Sequence, residues 1–209
     1  MYSIKEIFYS LQGEGAHTGR PALFCRFSGC NLWSGREQDR GSAVCNFCDT
    51  DFIGTDGDQG GKFATADLLV QKLLSLWPEN QNYRYVIFTG GEPALQLDQA
   101  LVNACHNAGF EVAIETNGTR PLPLHIDWIC VSPKADAELV IKSGDELKLV
   151  YPQPLAMPER FADMTFTHFY LQPLDSPLRP MHTQDTVRYC LEHPRWKLSL
   201  QTHKILGIE

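Results

Sequence analysis

Three of the chain's seven cysteines fall in one stretch, Cys30 to Asp51, which reads Cys-Asn-Leu-Trp-Ser-Gly-Arg-Glu-Gln-Asp-Arg-Gly-Ser-Ala-Val-Cys-Asn-Phe-Cys-Asp-Thr-Asp. No other feature constrains the fold as much, because whatever surrounds this segment must turn several thiolates toward one point. Cys45 and Cys48 have two residues between them and can aim both sulfurs at one ion or cluster. The fourteen residues between Cys30 and Cys45 can loop out and return the third. A structural zinc site takes four protein ligands, and a fourth cysteine or histidine at matching spacing is missing. Cys25 lies nearest, but the run from Pro21 to Ser28 alternates at period two. That places Leu23, Cys25 and Phe27 on a core face and Phe24, Arg26 and Ser28 on the other. Cys105, Cys130 and Cys190 fall in helical or strand patterns and read as small buried hydrophobes. Three thiolates leave one position of an iron-sulfur cluster open to a cofactor, whereas a ferredoxin-type carrier uses four ligands.

An odd count of cysteines in 209 residues fits thiols or metal ligands in a reducing compartment, and the expected location is cytoplasmic. No apolar run approaches the roughly 20 residues that span a bilayer, and Met-Tyr-Ser-Ile-Lys-Glu lacks the layout of a secretion signal. No membrane partner is expected. The net charge of -7 argues against a nucleic-acid-binding face but leaves room for a small anionic substrate held by a few local cations. With 43% hydrophobic and 21% charged residues, the chain reads as a single domain over 1–209, with an insertion in the cysteine loop at about 31–44.

A short strand from Ile4 to Tyr9 is broken by Ser10-Leu-Gln-Gly-Glu-Gly15, where two glycines flank a carboxylate. Gly54 to Gly61 reads as a flexible polar linker. Thr65 caps a helix with Leu68, Leu69, Leu73 and Leu76 on one stripe, ending before Pro78. The strand Tyr85–Thr89 leads into the turn Gly90-Gly91-Glu92-Pro93 and a helix from about Leu97 to Ala108, closed by Gly109. Strand-length apolar runs follow at 110–114, 128–131, 147–150, 166–171 and 196–200, with helical patterns between several of them. The order predicts an α/β fold with a mainly parallel sheet. Sites in such sheets lie beyond the carboxyl ends of the strands. The polar groups there are Thr89, Glu115 with Asn117, Ser132 with Lys134, Gln172 with Asp175, and Gln201 with His203.

The Cys-x-Phe-Cys end, with Phe47 directly before Cys48, and Gly-Gly-Glu-Pro forty-two residues on resemble the radical S-adenosylmethionine superfamily. The fourteen-residue spacing departs from that superfamily's usual three, without removing a ligand. Ser10-Leu-Gln-Gly-Glu-Gly15, Arg26-Phe-Ser-Gly-Cys30-Asn-Leu-Trp33, Cys48-Asp-Thr50, Glu115-Thr-Asn-Gly118, Val131-Ser-Pro-Lys134, Leu171-Gln-Pro-Leu174 and Gln201-Thr-His-Lys204 resemble the 7-carboxy-7-deazaguanine synthase family from end to end. The long insertion is similar to that of a proteobacterial branch.

The resemblance implies a modified, incomplete (βα) barrel with few helices. It implies a 4Fe-4S cluster on Cys30, Cys45 and Cys48, with S-adenosylmethionine on the open iron. The implied reaction is that of a carbon-nitrogen lyase in queuosine and 7-deazapurine biosynthesis. It converts 6-carboxy-5,6,7,8-tetrahydropterin to 7-carboxy-7-deazaguanine with loss of ammonia, through a regenerated 5′-deoxyadenosyl radical. Carried over by position, Asn46, Phe47, Cys48, Gly90, Gly91, Glu92, Ser132, Pro133, Lys134, Gln172, Pro173, Leu174 and Asp175 would serve the cofactor. Leu11, Gln12, Gly13, Arg26, Thr89, Glu115, His203 and Glu209 would serve the pterin. Glu209 stands where relatives carry proline. No side chain is assigned as catalytic, since the cofactor carries the radical. Thr50 would supply an oxygen to Mg2+, which keeps waters and substrate oxygens in its shell. A homodimer and a flavodoxin or ferredoxin-type electron donor are also implied. Arg36 and Arg40 are expected to form a basic landing site for an acidic flavodoxin. The competing readings are a radical S-adenosylmethionine activase that installs a glycyl radical, and a non-catalytic zinc-binding module.

Overall fold

A computed structural model describes residues 1–79 and 82–208. Its nine described strands form one sheet. In chain order they are β1 (Tyr2–Leu11), β2 (Pro21–Phe27), β3 (Gly61–Phe63), β4 (Tyr85–Gly90), β5 (Glu111–Thr116), β6 (Trp128–Val131), β7 (Ser143–Tyr151), β8 (Thr165–Pro173) and β9 (Trp196–Leu198). The spatial order is β3-β1-β2-β4-β5-β6-β7-β8-β9. The pairs β3/β1 and β1/β2 are antiparallel, and from β2 to β9 every neighbouring pair is parallel. The sheet ends at β9 without returning to its first strand, so the predicted mainly parallel, incomplete barrel is what forms.

The period-two reading of β2 holds. Leu23, Cys25 and Phe27 are fully buried, and Arg26 on the other face stands in register with Thr89 of β4. Helices are sparser than the apolar runs imply. The described α-helices are α1 (Ala66–Leu76), α2 (Gln99–Asn107), α3 (Arg179–Glu192) and α4 (Thr202–Leu206), and none lies between β5 and β8. Loops and one 3-10 turn (Pro158–Phe161) make those crossovers instead.

Thr65 caps α1 as expected, its hydroxyl accepting from Leu68 N at 3.3 Å. The helix phase differs from the leucine stripe. Leu69, Val70 and Leu73 are buried, and at about 100° per residue Leu68 falls on the outer side, where it is exposed. The cap's contribution is separable from that packing. Thr65→Ala is expected to cost about 1 kcal/mol, read as a lower urea midpoint at unchanged slope.

Residues 54–61 do not behave as a loose linker. Ile7 N donates to Asp58 O at 2.8 Å and Gly57 N to Lys5 O at 3.0 Å, so the segment is stitched along β1. A Cβ on Gly57 or Gly60 would stand 2.7 or 2.2 Å from Lys5 O, which accounts for those two glycines by close approach rather than flexibility.

One core lies where α1 and α2 cover β1, β2, β4 and β5, around Ile7, Leu23, Phe88, Leu101 and Ile114. A second lies around Leu147, Leu149, Phe169, Leu171 and Trp196 of β7, β8 and β9. Between β1 and β2 the segment Gln12–His17 packs against residues of β4, β6 and β7. His17 packs 4.0 Å from Trp128 and its Nδ1 lies 2.8 Å from the Tyr85 hydroxyl, at the amino-terminal ends of β6 and β4. A Cβ on Gly15, whose φ is +66°, would stand 2.0 Å from the Glu146 carboxylate. The chain comes this close only because its backbone is bare there.

Candidate active site

The strand ends of the parallel sheet open onto one cavity of about 540 Å³. Arg26, Thr89, Gly90, Glu115, Ser132, Lys134, Gln172, Pro173, Leu174 and Asp175 line it from the sheet. Cys45, Phe47, Cys48 and Thr50 line it from the cysteine loop, and Leu11, Gln12, Gly13 and His203 from the two chain ends. The sequence-assigned residues therefore do converge. Cys30, Asn46, Glu92 and Pro133 are not among the residues that line it, and Glu209 lies outside the described residues.

Glu92 shows why a motif residue can leave the cavity. Its carboxylate is fully buried and accepts from Thr116 Oγ1 at 2.6 Å, Asn117 N at 2.7 Å and Ala94 N at 2.9 Å. Burial pushes its pKa up, against those three bonds. The side chain thus ties the turn after β4 to the end of β5. What this turn offers the cavity is the backbone of Gly90 and Gly91. A Cβ on Gly90 would meet Phe27 O at 2.4 Å, and one on Gly91 would meet Gly29 O at 2.3 Å. Glycine is required at both for the turn to lie against the start of the cysteine loop.

The three cysteines differ in setting. Cys45 is buried, while Cys30 and Cys48 are partly exposed. Cys48 is the thiol that ionises first, because Cys45 donates a hydrogen bond to its sulfur. The same bond and burial raise Cys45. No three of the described His, Cys, Asp and Glu side chains are gathered tightly enough to hold a single metal ion. A multinuclear cluster is met differently, with each thiolate going to its own iron, and three thiols on one loop beside a cavity fit that donor set.

One cavity residue was invisible to motif reasoning, and a second, Glu14, was noticed only as a carboxylate between two glycines, with no role assigned. Lys148, in the middle of the apolar β7, is buried with its Nζ 2.8 Å from Glu14 Oε2 and 2.9 Å from Glu115 Oε2. Glu14 also accepts from Gln172 Nε2 at 3.0 Å and Gln201 Nε2 at 3.1 Å, and Glu115 from Gln12 Nε2 at 3.3 Å. Burial alone would raise Glu14, but the charge and hydrogen bond of Lys148 prevail and lower it to about 2. Burial likewise opposes the charge on Lys148, yet the anionic groups around it hold its pKa well above the usual value. The available signal was a lysine inside the run Leu147-Lys-Leu-Val150, where an unpaired charge would be untenable.

The remaining site residues are held by short polar links. Arg26 Nε donates to Glu6 Oε1 at 2.7 Å, which orients the guanidinium along the cavity wall. Lys134 Nζ donates to Ser132 O at 2.9 Å and to its Oγ at 2.5 Å. Lys204 on α4 bridges Asp49 Oδ2 at 2.8 Å and Asp175 Oδ2 at 2.5 Å, fastening α4 to the cysteine loop and to the segment after β8. Thr202 N donates to Gly13 O at 2.9 Å, and a Cβ on Gly13 would collide with the His203 ring. Arg40 does not face outward as a landing site. Its guanidinium turns onto the cysteine loop and pairs with Glu37.

A three-cysteine loop, a Gly-Gly turn packed against it and a cavity at the strand ends define a radical S-adenosylmethionine protein. Residues 39–176 match the Radical SAM superfamily, to which the chain belongs. Over 207 residues it is 62% identical to the 7-carboxy-7-deazaguanine synthase of Bordetella pertussis, covering 99% of both chains. It is also 62% identical, with the same coverage, to that of Caulobacter vibrioides. The crystal structure of QueE from Escherichia coli superposes with a TM-score of 0.73 at 26% identity, over 95% of this chain and 93% of that one. The chain belongs to the 7-carboxy-7-deazaguanine synthase family.

Proposed function

We propose that the cavity takes a carboxylated tetrahydropterin beside S-adenosylmethionine and releases 7-carboxy-7-deazaguanine with loss of ammonia, as a carbon-nitrogen lyase. The carrying observation is that one cavity is lined by Cys45, Phe47 and Cys48 of the cysteine loop together with a cation, Arg26, a carboxylate, Glu115, and a histidine, His203. A 4Fe-4S cluster on Cys30, Cys45 and Cys48 with S-adenosylmethionine supplies, when bound, the one-electron chemistry that removes a hydrogen from substrate carbon.

The protein's own work is orientation. Arg26 offers the substrate carboxylate a bidentate fork, already aimed by Glu6. Glu115, held by Lys148 and Gln12, offers acceptors to the guanidine-like edge of the pterin. Thr89, Leu11, Gln12 and Gly13, which also line the cavity, would contact the pterin by backbone or side chain. Ser132, Lys134, Gln172 and Asp175 line the part of the cavity assigned to S-adenosylmethionine. The Thr50 hydroxyl would hold Mg2+ together with substrate oxygens and water. A flavodoxin or ferredoxin-type donor and a homodimeric state complete the proposal.

The test is anaerobic incubation of the reconstituted protein with 6-carboxytetrahydropterin, S-adenosylmethionine, magnesium and a reductant, followed by detection of the deazapurine. No deazapurine from a protein that carries its cluster would overturn the assignment. Arg26→Lys is expected to raise KM roughly tenfold, the equivalent of about 1.4 kcal/mol, with a smaller change in kcat. A change in kcat alone would place Arg26 outside carboxylate recognition.

A further inference from the structure

The residues between Cys30 and Cys45 have no task in the proposed reaction, yet they carry a well-connected side chain. Their 3-10 turn, Glu37–Ser42, presents Arg40. Arg40 Nε and Nη2 donate to the two oxygens of Glu37 at 2.5 and 2.9 Å. Nη1 donates to the carbonyls of Asn46 and Cys48, both at 3.0 Å. The guanidinium lies over the Trp33 ring, 4.1 Å from its centroid. Trp33 is itself buried, donating from Nε1 to Arg36 O at 3.2 Å and meeting Phe52 edge-on at 5.6 Å. The insertion thus reaches back over the Cys45–Cys48 turn and fastens it through two carbonyls that bracket Phe47.

Charge is placed as deliberately as shape. The Glu37 carboxylate is drawn to the solvent side, with its side chain 75% exposed against 30% for Arg40, so water screens the anion more than the cation. Nη1, on the other edge, points at the cysteine turn. A guanidinium keeps its proton throughout the physiological range, so this positive charge is permanent.

We propose that Arg40 is a positioning residue for the cluster: it locks the Cys45–Cys48 turn and sets a fixed positive charge beside the thiolates, raising the midpoint potential of the cluster they hold. The inference rests on the radical S-adenosylmethionine reading above. Its physical basis is that reduction adds negative charge to the cluster, and a nearby cation stabilises the more negative state.

The experiment uses the full chain, reconstituted anaerobically, with midpoint potential followed by optical and electron paramagnetic resonance titration and iron retention measured against a chelator. Groups that orient ligands without touching the metal cost roughly 10- to 100-fold in metal affinity when removed. Arg40→Gln is therefore expected to hold iron roughly tenfold less well and to shift the midpoint to a more negative value. Arg40→Lys keeps the charge but cannot bridge two carbonyls and stack on Trp33, so it should recover the potential and not the retention. Glu37→Gln, which removes the counter-charge, should shift the midpoint upward. Wild-type retention and potential in Arg40→Gln would overturn the proposal. Failure of the wild-type chain itself to take up a cluster would sink the radical S-adenosylmethionine reading, and this inference with it.

Discussion

Lys148→Met is expected to lower stability by roughly 3–5 kcal/mol, the range for removing one partner of a buried ion pair. The cause is on the other side of the bond. Glu14 and Glu115 both direct a carboxylate oxygen at Lys148 Nζ within 3 Å, and without the ammonium two anions share a half-buried space. Urea unfolding checks the size of the effect, and a midpoint within a few tenths of a molar of wild type would show that solvent already neutralises the pair. The double variant Lys148→Met/Glu14→Gln should recover part of the loss, since it removes one of the stranded charges. The pH dependence has a definite sign. Glu14 is held at about 2 in the fold against an ordinary 4.5, so its contribution is present above 4.5 and is lost as pH falls through about 2. In Lys148→Met this acid-side contribution should largely vanish.

The second large effect is chemical rather than thermodynamic. Cys45→Ala is expected to give a colourless protein after anaerobic reconstitution, with no detectable turnover, because two thiolates cannot hold a cluster that three are required to hold. Cys105→Ala is the informative control. Its thiol is fully buried in α2, and its pKa is pushed up to about 12 by burial alone, so its loss should leave colour and turnover in place. Visible absorption and iron content decide the matter. A fully loaded, active Cys45→Ala protein would remove the cysteine loop from the mechanism.

Much of the fold was legible because period-two alternation and strand-end polarity are local properties. Leu23, Cys25 and Phe27 announce a buried face wherever β2 goes, and Thr89, Glu115 and Ser132 mark strand ends without knowledge of their neighbours. The helix phase of α1 was misread because four leucines outweighed Val70, although position around the axis decides burial more than residue type. Glu92 was assigned to the cavity with its motif. Only the neighbouring strand reveals that Thr116 and Asn117 claim both carboxylate oxygens. Lys148 was missed for the converse reason. A lysine in an apolar strand signals a buried partner, but its partners Glu14 and Glu115 lie 134 and 33 residues away. Arg40 was read by its charge alone, and its tie to two backbone carbonyls leaves no trace in composition.

The fastening of α4 to Gly13, Asp49 and Asp175 has a bearing on the order in which the molecule is made. Synthesis at about 5–20 residues per second delivers the cysteine loop long before residues 202–204 exist. For that interval the thiols are present on a chain whose cavity lacks the wall formed by His203 and Lys204. The cysteine loop therefore waits for α4 to bring the Lys204 partner of Asp49, and the cavity beside its thiols gains its His203 and Lys204 lining only when that helix docks.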